Sequence, residues 1–232
     1  MRNNNWWEVS IGNLFQILKG NEEEKLQQAF DIKYGDYDYS EDLRTIVKKE
    51  FENNFNQLLN SIPNSSKVLV CGANSGYEME FLGGLNVTAL DISYKALRKL
   101  RDKFPYVKTI HGNMNKLPFD NNTFDLYINL RSIQSHGVDL DLSISEAHRV
   151  LRDRGQIIIS IPNGYMNNTN VIKGMWDSTN QKIDANLPLK LAEKVKDKLS
   201  ELNYKNLEII EITSEIIIVG HKWVSEKKSS QA

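Results

Sequence analysis

Residues 68–78 read VLVCGANSGYE, an apolar run that stops at a loop containing two glycines. The run at 68–71 predicts a buried strand. Gly72 and Gly76 predict a loop that exposes backbone N–H groups and lets a ligand approach closely, as phosphate- and nucleoside-binding loops do. The stretch therefore predicts a nucleotide-like ligand at the end of a strand, without specifying which one.

Two phosphate-binding fingerprints do not match this loop. A P-loop requires Lys followed by Ser or Thr after its last glycine, where this chain has Tyr77 and Glu78. The dinucleotide pattern G-x-G-x-x-G would need glycine at Asn74 and at Tyr77. Asp91, at the end of VTALD, is instead placed to accept hydrogen bonds from both hydroxyls of a ribose, which suits any adenosine ligand.

Short apolar runs alternate with helical patterns after residue 63, which predicts an α/β fold with a parallel sheet covered on both faces. The predicted strands lie near 67–71, 87–91, 107–111, 124–129 and 155–161, and the predicted helices near 76–83, 93–103, 143–152 and 189–202. The stretch LEIIEITSEIIIVGHKW at 207–223 contains two β-rich runs too close together for a crossover. These two runs are therefore predicted to pair as an antiparallel hairpin.

Four stretches between about 67 and 223 resemble, in order, the motifs of the class I S-adenosylmethionine-dependent methyltransferases. VLVCGANSG is similar to the first motif and ALDIS to the second, acidic one. GNMNKLPFDNNTFDLYI resembles the G-D-A-x-x-L-P-F stretch, and RVLRDRGQIIISIPN resembles the R-V-L-x-x-G-G strand entry. The resemblance implies a doubly wound, mostly parallel sheet of seven strands in the order 3-2-1-4-5-7-6, with strand 7 antiparallel.

The same resemblance implies S-adenosyl-L-methionine as cofactor and gives it a set of contacts. Gly72 and Gly76 would lie beside the methionine part and the ribose, Asp91 would bind the ribose hydroxyls, and Met114 would lie beside the adenine. The complete implied set is Gly72, Ala73, Asn74, Gly76, Asp91, Ile92, Asn113, Met114, Asn129 and Leu130. No metal site is predicted.

Three positions depart from the family pattern, which has an acid, a glycine and an aspartate where this chain has Val70, Asn74 and Asn113. Asn tolerates positive φ, so Asn74 can keep the turn, and the Asn113 amide oxygen can still accept from an adenine amino group. Val70 removes a carboxylate that would help to hold the ammonium group of the cofactor. The candidates to replace that carboxylate are Asp36, Asp38 and Glu78.

Candidate catalytic residues follow from the chemistry of methyl transfer, an in-line displacement that depends mainly on alignment in a dry pocket. An amine, thiolate or carboxylate acceptor needs little proton removal, whereas an alcohol or carbon acid would require a base. His136, in the loop NLRSIQSHG after the fourth strand, is one candidate. Tyr34 and Tyr37, in YGDYDYS, are the others, if that segment is an aromatic cover rather than a surface loop.

Length and composition restrict the class of protein. A chain of 232 residues suits one domain, or one domain with an appendage. The helical pattern before residue 63 predicts an N-terminal helical cap at 1–62, and the alternating pattern after it predicts a Rossmann-like core at 63–232 with an insertion at 163–187. A balance of 29 basic and 30 acidic residues gives no reason to expect nucleic acid as a partner. A single cysteine, the absence of a secretory start and the absence of any apolar run of about 18 residues predict a cytoplasmic protein without a membrane span. We expect a monomer or homodimer.

These observations lead to one functional prediction and two alternatives. The prediction is an S-adenosylmethionine-dependent methyltransferase acting on a small-molecule acceptor. One alternative is an enzyme that methylates RNA or protein, and the other is a noncatalytic module that binds S-adenosylmethionine. Fold does not by itself decide among them.

Overall fold

The computed structural model describes Leu14 and residues 16–33, 45–163 and 186–223. Tyr34, Asp36, Tyr37, Asp38 and nearly all of the 163–187 insertion lie outside these ranges. The described helices are α1 (Glu22–Lys33), α2 (Thr45–Leu59), a 3-10 helix (Tyr77–Glu80), α3 (Tyr94–Lys103), α4 (Leu140–Val150) and α5 (Leu187–Glu201). The strands are β1 (Lys67–Cys71), β2 (Asn86–Asp91), β3 (Lys108–His111), β4 (Phe124–Leu130), β5 (Leu151–Pro162), β6 (Tyr204–Glu211) and β7 (Glu215–Lys222).

The seven described strands form one sheet in the order β3-β2-β1-β4-β5-β7-β6. β1 pairs in parallel with β2 on one side and β4 on the other, so it lies in the centre. β7 runs antiparallel to both β5 and β6. The predicted fold class, strand order and terminal hairpin are therefore confirmed.

Helices cover both faces of the sheet. On one face, Phe51 and Phe55 of α2 are fully buried with Val70 and with residues of the 3-10 helix. On the other face, apolar residues of α4 and α5, such as Ile144 and Val195, bury the opposite side of β1, β4 and β5. Both faces of the central strands are apolar because both are covered. In the described ranges, no helix combines the length and apolarity needed to cross a bilayer.

Two predicted boundaries are wrong for local reasons. The helix predicted at 76–83 is only the four-residue 3-10 helix, because Gly83 and Gly84 follow it and Gly84 takes a left-handed φ of 88°. β5 starts at Leu151, inside the helix predicted at 143–152. The predicted boundary is misplaced because Val150 and Leu151 are buried apolar residues, which suit both the helical and the strand pattern.

Helix α1 builds a small apolar cluster of its own over the carboxyl edge of the sheet. Its start is closed by two reciprocal bonds, from Asn21 N to Glu24 Oε2 (3.0 Å) and from Glu24 N to Asn21 Oδ1 (2.9 Å), as in a capping box. Leu14, Leu26 and Ala29 form the cluster, and Phe30 and Ile92 pack against it. Since Ile92 directly follows β2, α1 contacts the body of the protein at the edge where ligands bind in α/β sheets.

Candidate active site

A cavity opens at the carboxyl ends of β1, β2 and β4, the central strands of the sheet. Its lining combines the glycine loop, the end of β2, the segment after β3, the loop after β4 and one side of α1. The lining residues are Leu26, Phe30, Gly72, Ala73, Asn74, Ser75, Gly76, Tyr77, Glu78, Leu90, Asp91, Ile92, Ser93, Ala96, Gly112, Asn113, Met114, Leu130, Arg131, Ser132, Ser135, His136, Gly137 and Val138. Nine of the ten predicted cofactor contacts belong to this lining.

The glycine loop is shaped by close approach of its backbone to the loop after β4. Gly72 has a φ of 69°, and a Cβ there would come 2.2 Å from Ser132 Oγ. The single hydroxyl proton of Ser132 lies within reach of the carbonyl oxygens of Gly72 (3.2 Å from Oγ) and Leu130 (2.9 Å), so it can join the two loops. Asn74 takes a φ of 44°, so the prediction that asparagine keeps this turn is confirmed.

Asp91 joins the tips of the first two strands. Its Oδ2 accepts from Asn74 N at 2.9 Å and its Oδ1 from Ser93 N at 2.8 Å. Burial raises the pKa of this carboxyl above its ordinary value, against the effect of these backbone donors. Each carboxylate oxygen keeps acceptor capacity beyond its one backbone bond, because an ionised carboxylate has about four acceptor sites. Asp91 can therefore accept further hydroxyl donors from the cavity.

The residues around the loop fit a nucleoside ligand with a polar tail. Asn74 Oδ1 is buried and has no hydrogen-bond partner among the described residues, and a ligand donor would satisfy it. Gly72 provides backbone where a side chain would fill the space. Ile92, Met114 and Leu130 add the apolar surface that a flat base requires.

The predicted adenine side divides into residues that line the cavity and one that supports them. Asn113 lines it, and its Oδ1 already accepts from Asn115 N at 2.9 Å, which leaves one acceptor position. Asn129, predicted as a contact, does not line the cavity: it is fully buried, and its Nδ2 lies 3.5 Å from Met114 Sδ. The structure thus places Asn129 behind Met114.

The loop after β4 brings Arg131 and His136 to the cavity. Arg131 takes a left-handed φ of 56°, its guanidinium forms an ion pair with the fully buried Glu215, and its Cζ lies 4.7 Å from the centre of the Phe51 ring. His136 lines the cavity as predicted. The other two catalytic candidates, Tyr34 and Tyr37, lie outside the described residues.

Several lining residues were not predicted from the sequence. Leu26 and Phe30 come from α1, which belongs to the predicted N-terminal helical cap. Glu78, named only as one of three candidates to replace a missing acid, lies in the lining and is buried.

Val70 is fully buried in the apolar core of β1, so this position contributes no polar group to the cavity. Cys71 is also fully buried, and burial raises its thiol pKa to about 12, which makes it unreactive.

Comparison with known proteins gives the same picture over the central part of the chain. Residues 69–159 match the family model described as a methyltransferase domain. An inferred S-adenosylmethionine-dependent methyltransferase of Mycolicibacterium smegmatis is 32% identical over 98 residues, which are 41% of this chain and 38% of that protein. The match thus spans less than two fifths of that relative's length.

Solved structures share the fold at low sequence identity. A structure assigned as an S-adenosyl-L-methionine-dependent methyltransferase of Methanococcus maripaludis aligns with a TM-score of 0.60 at 15% identity, covering 90% of this chain and 99% of that one. A phosphoethanolamine N-methyltransferase of Haemonchus contortus, solved with S-adenosyl-L-methionine, aligns with a TM-score of 0.55 at 12% identity, over 74% of this chain and 53% of that one. At these identities the likeness concerns the fold.

Proposed function

We propose that this chain, whose residues 69–159 match a methyltransferase domain, transfers a methyl group from S-adenosylmethionine to a small-molecule acceptor. The observation that carries the proposal is a single cavity that contains both the glycine loop with Asp91 and the apolar side of α1. The first part suits the cofactor, and the second encloses space beside it.

The residues that would hold the cofactor are arranged along the strand tips. Asp91 would accept the ribose hydroxyls, and Ile92, Asn113 and Met114 would enclose the adenine. The loop from Gly72 to Gly76 would contact the ribose and the methionine part through its backbone. When bound, S-adenosylmethionine supplies an activated methyl group on a sulfonium sulfur.

A small acceptor is favoured by the walls of the remaining space. Leu26 and Phe30 of α1 lie over the carboxyl edge of the sheet, and Val138 continues the apolar wall. A polymer would need an open, extended surface, whereas a concave apolar pocket with few polar groups is typical of small-molecule sites. The net charge of −1 also offers a polyanion no attraction.

The chain contributes alignment and exclusion of water. The apolar side chains of α1 keep water from the reacting groups, and the joined loops at Gly72 and Ser132 hold the walls at fixed spacing. His136 is the proposed group for accepting a proton when the acceptor is an alcohol or a carbon acid. Tyr34 and Tyr37 are proposed for the same role from the segment that precedes α2.

The first test is binding, followed by transfer. Isothermal titration should show saturable binding of S-adenosylmethionine and of its demethylated product. Incubation with isotopically labelled cofactor and a fractionated metabolite pool should then label a small molecule. Absence of binding by the folded protein would exclude the proposal. Label in RNA or protein would reassign the acceptor, and binding without transfer to any pool would favour a noncatalytic module.

A further inference from the structure

Glu78 is a buried acid in the wall of the cavity. It lies in the 3-10 helix directly after the glycine loop, and only 5% of its surface is exposed. Its own backbone N–H stabilises the carboxylate, but among the described residues no side chain donates a hydrogen bond to it. A buried carboxylate without such a donor is costly unless a cation or a donor from a ligand approaches it.

The charges around Glu78 leave an excess of negative charge in the described lining. Its charged groups are Glu78, Asp91 and Arg131, with His136 as a further titratable group. Arg131 already forms the ion pair with Glu215, which is fully buried behind it. The described lining and the residue behind it thus hold three buried carboxyl groups and one guanidinium. A ligand that brings positive charge into this cavity would compensate the excess.

Asp91 and Glu78, the two acids that line the cavity, are placed to contact different parts of one ligand. Asp91 ends β2, and Arg131 follows β4, and these strands flank β1 on opposite sides. Glu78 lies in the 3-10 helix that follows β1, the strand between them, and it lines the same cavity. If Asp91 binds the sugar, Glu78 is available to the end of the ligand that lies beyond the glycine loop.

We infer that Glu78 is the cation-binding carboxylate of this pocket and pairs with the ammonium group at the amino-acid end of the cofactor. This inference rests on the proposed function. An ammonium group carries three N–H donors and can hydrogen-bond to a carboxylate, whereas a sulfonium has no such donor. The pairing would give Glu78 the hydrogen-bonded cation that it lacks among the described residues.

The experiment compares two ligands and two variants. S-adenosylmethionine carries the ammonium group, and 5′-methylthioadenosine has the same nucleoside without the amino-acid part and without the sulfonium charge. The 2-oxo analogue of S-adenosylmethionine, which keeps the sulfonium, separates the effects of the two charges. Glu78→Gln should weaken binding of S-adenosylmethionine by about ten- to a hundredfold, as expected for loss of a charge-assisted hydrogen bond. Binding of 5′-methylthioadenosine should stay within about twofold. Glu80→Gln, which alters a partly exposed acid of the same helix paired with Lys103, is the matched control and should change neither constant.

A second measurement needs no variant of the protein. The 2-oxo analogue of S-adenosylmethionine, in which a keto oxygen replaces the ammonium group, should bind the wild-type protein about ten- to a hundredfold more weakly than S-adenosylmethionine does. Combining analogue and variant should give no further loss, because each removes the same pair.

Two results would overturn the inference: equal weakening of both ligands by Glu78→Gln, or no weakening of either. If binding is unchanged and turnover is lost, Glu78 would be a base instead. Failure of the proposed function is recognised separately. A wild-type protein that binds both ligands and transfers no methyl group would refute catalysis and still allow the Glu78 comparison. A wild-type protein that binds neither ligand would refute both.

Discussion

Asp31 of α1 accepts a 2.5 Å hydrogen bond from Ser93 Oγ, and the same carboxylate oxygen accepts from Lys95 N at 3.1 Å. Ser93 in turn donates its backbone N–H to Asp91 and caps α3 by accepting from Ala96 N. Ser93 therefore links α1, through Asp31, to Asp91, the carboxylate proposed to bind the ribose. Asp31 holds α1 against the start of α3, and this position keeps Leu26 and Phe30 in the cavity wall.

Asp31→Ala should weaken both the fold and cofactor binding. Ser93 is 1% exposed, so its hydroxyl would lose a charged partner in a buried place, and we expect a loss of about 1 to 3 kcal/mol in the free energy of unfolding. Release of α1 should raise the dissociation rate of S-adenosylmethionine about three- to tenfold. Urea unfolding and stopped-flow displacement measure the two effects. Glu23→Ala, an exposed acid in the first turn of α1, is the control. A destabilised variant with unaltered cofactor dissociation would show that α1 takes no part in covering the cofactor.

Asp91→Ala tests the proposed sugar contact. Loss of two ribose hydrogen bonds should weaken S-adenosylmethionine binding by about 1 to 3 kcal/mol. The variant also frees the backbone N–H groups of Asn74 and Ser93, so circular dichroism must first show that it folds. Asp102→Ala, an exposed aspartate near the end of α3, is the matched control for loss of charge. An unchanged dissociation constant in folded Asp91→Ala would contradict the role of Asp91.

The fold could be predicted because its signals are local. Apolar runs of strand length alternate with helical patterns, and each buried strand has a physical reason to be apolar on both faces. The errors occur where two local rules compete. The glycine pair Gly83-Gly84 ends a helix that the pattern around Met79 and Leu82 would otherwise continue. The apolar residues at 150–151 fit both the helical pattern before them and the strand pattern after them.

The cofactor side of the site could be predicted for the same reason, since the glycine loop and Asp91 lie at the ends of predicted strands. The remaining wall depends on long-range packing. Leu26 and Phe30 lie four residues apart, which suits one face of a helix, but this spacing does not indicate what that face contacts. The burial of Glu78 could not be deduced from its charge, because glutamate is seldom buried without a partner.

Gly72→Ala tests the close approach of the two loops. The added Cβ would lie 2.2 Å from Ser132 Oγ and 2.5 Å from Ser132 Cβ, at a φ of 69° that alanine adopts with strain. We expect a loss of about 2 to 4 kcal/mol of stability and a large loss of cofactor affinity. Gly83→Ala, at a position with no atom within 4 Å of the added Cβ, should be close to neutral. Adding Ser132→Gly to Gly72→Ala should restore part of the stability, and a double variant no better than Gly72→Ala would contradict the clash.

The pH dependence of stability gives a separate test of the state of Glu78. Burial raises the pKa of its carboxyl from an ordinary 4.5 to about 7, an effect that Arg131 reduces and Asp91 increases. The folded protein without cofactor therefore holds this proton more tightly than the unfolded chain does. The contribution of Glu78 to stability should fall as the pH rises from about 4.5 to 7, and the full loss should be present above pH 7.

Glu78→Gln removes this titration, and its effect on stability should change with pH in a defined direction. At pH 8 the variant without cofactor should be more stable than the wild type by about 2 to 3 kcal/mol, and the difference should shrink as the pH falls towards 5. Urea unfolding at several pH values measures the difference. Glu80→Gln should retain the wild-type slope. Since the ammonium of a bound cofactor would stabilise the ionised carboxylate, saturating S-adenosylmethionine should stabilise the wild type more than Glu78→Gln at pH 8. Parallel pH profiles for wild type and Glu78→Gln would mean that this carboxylate is solvated in the folded protein.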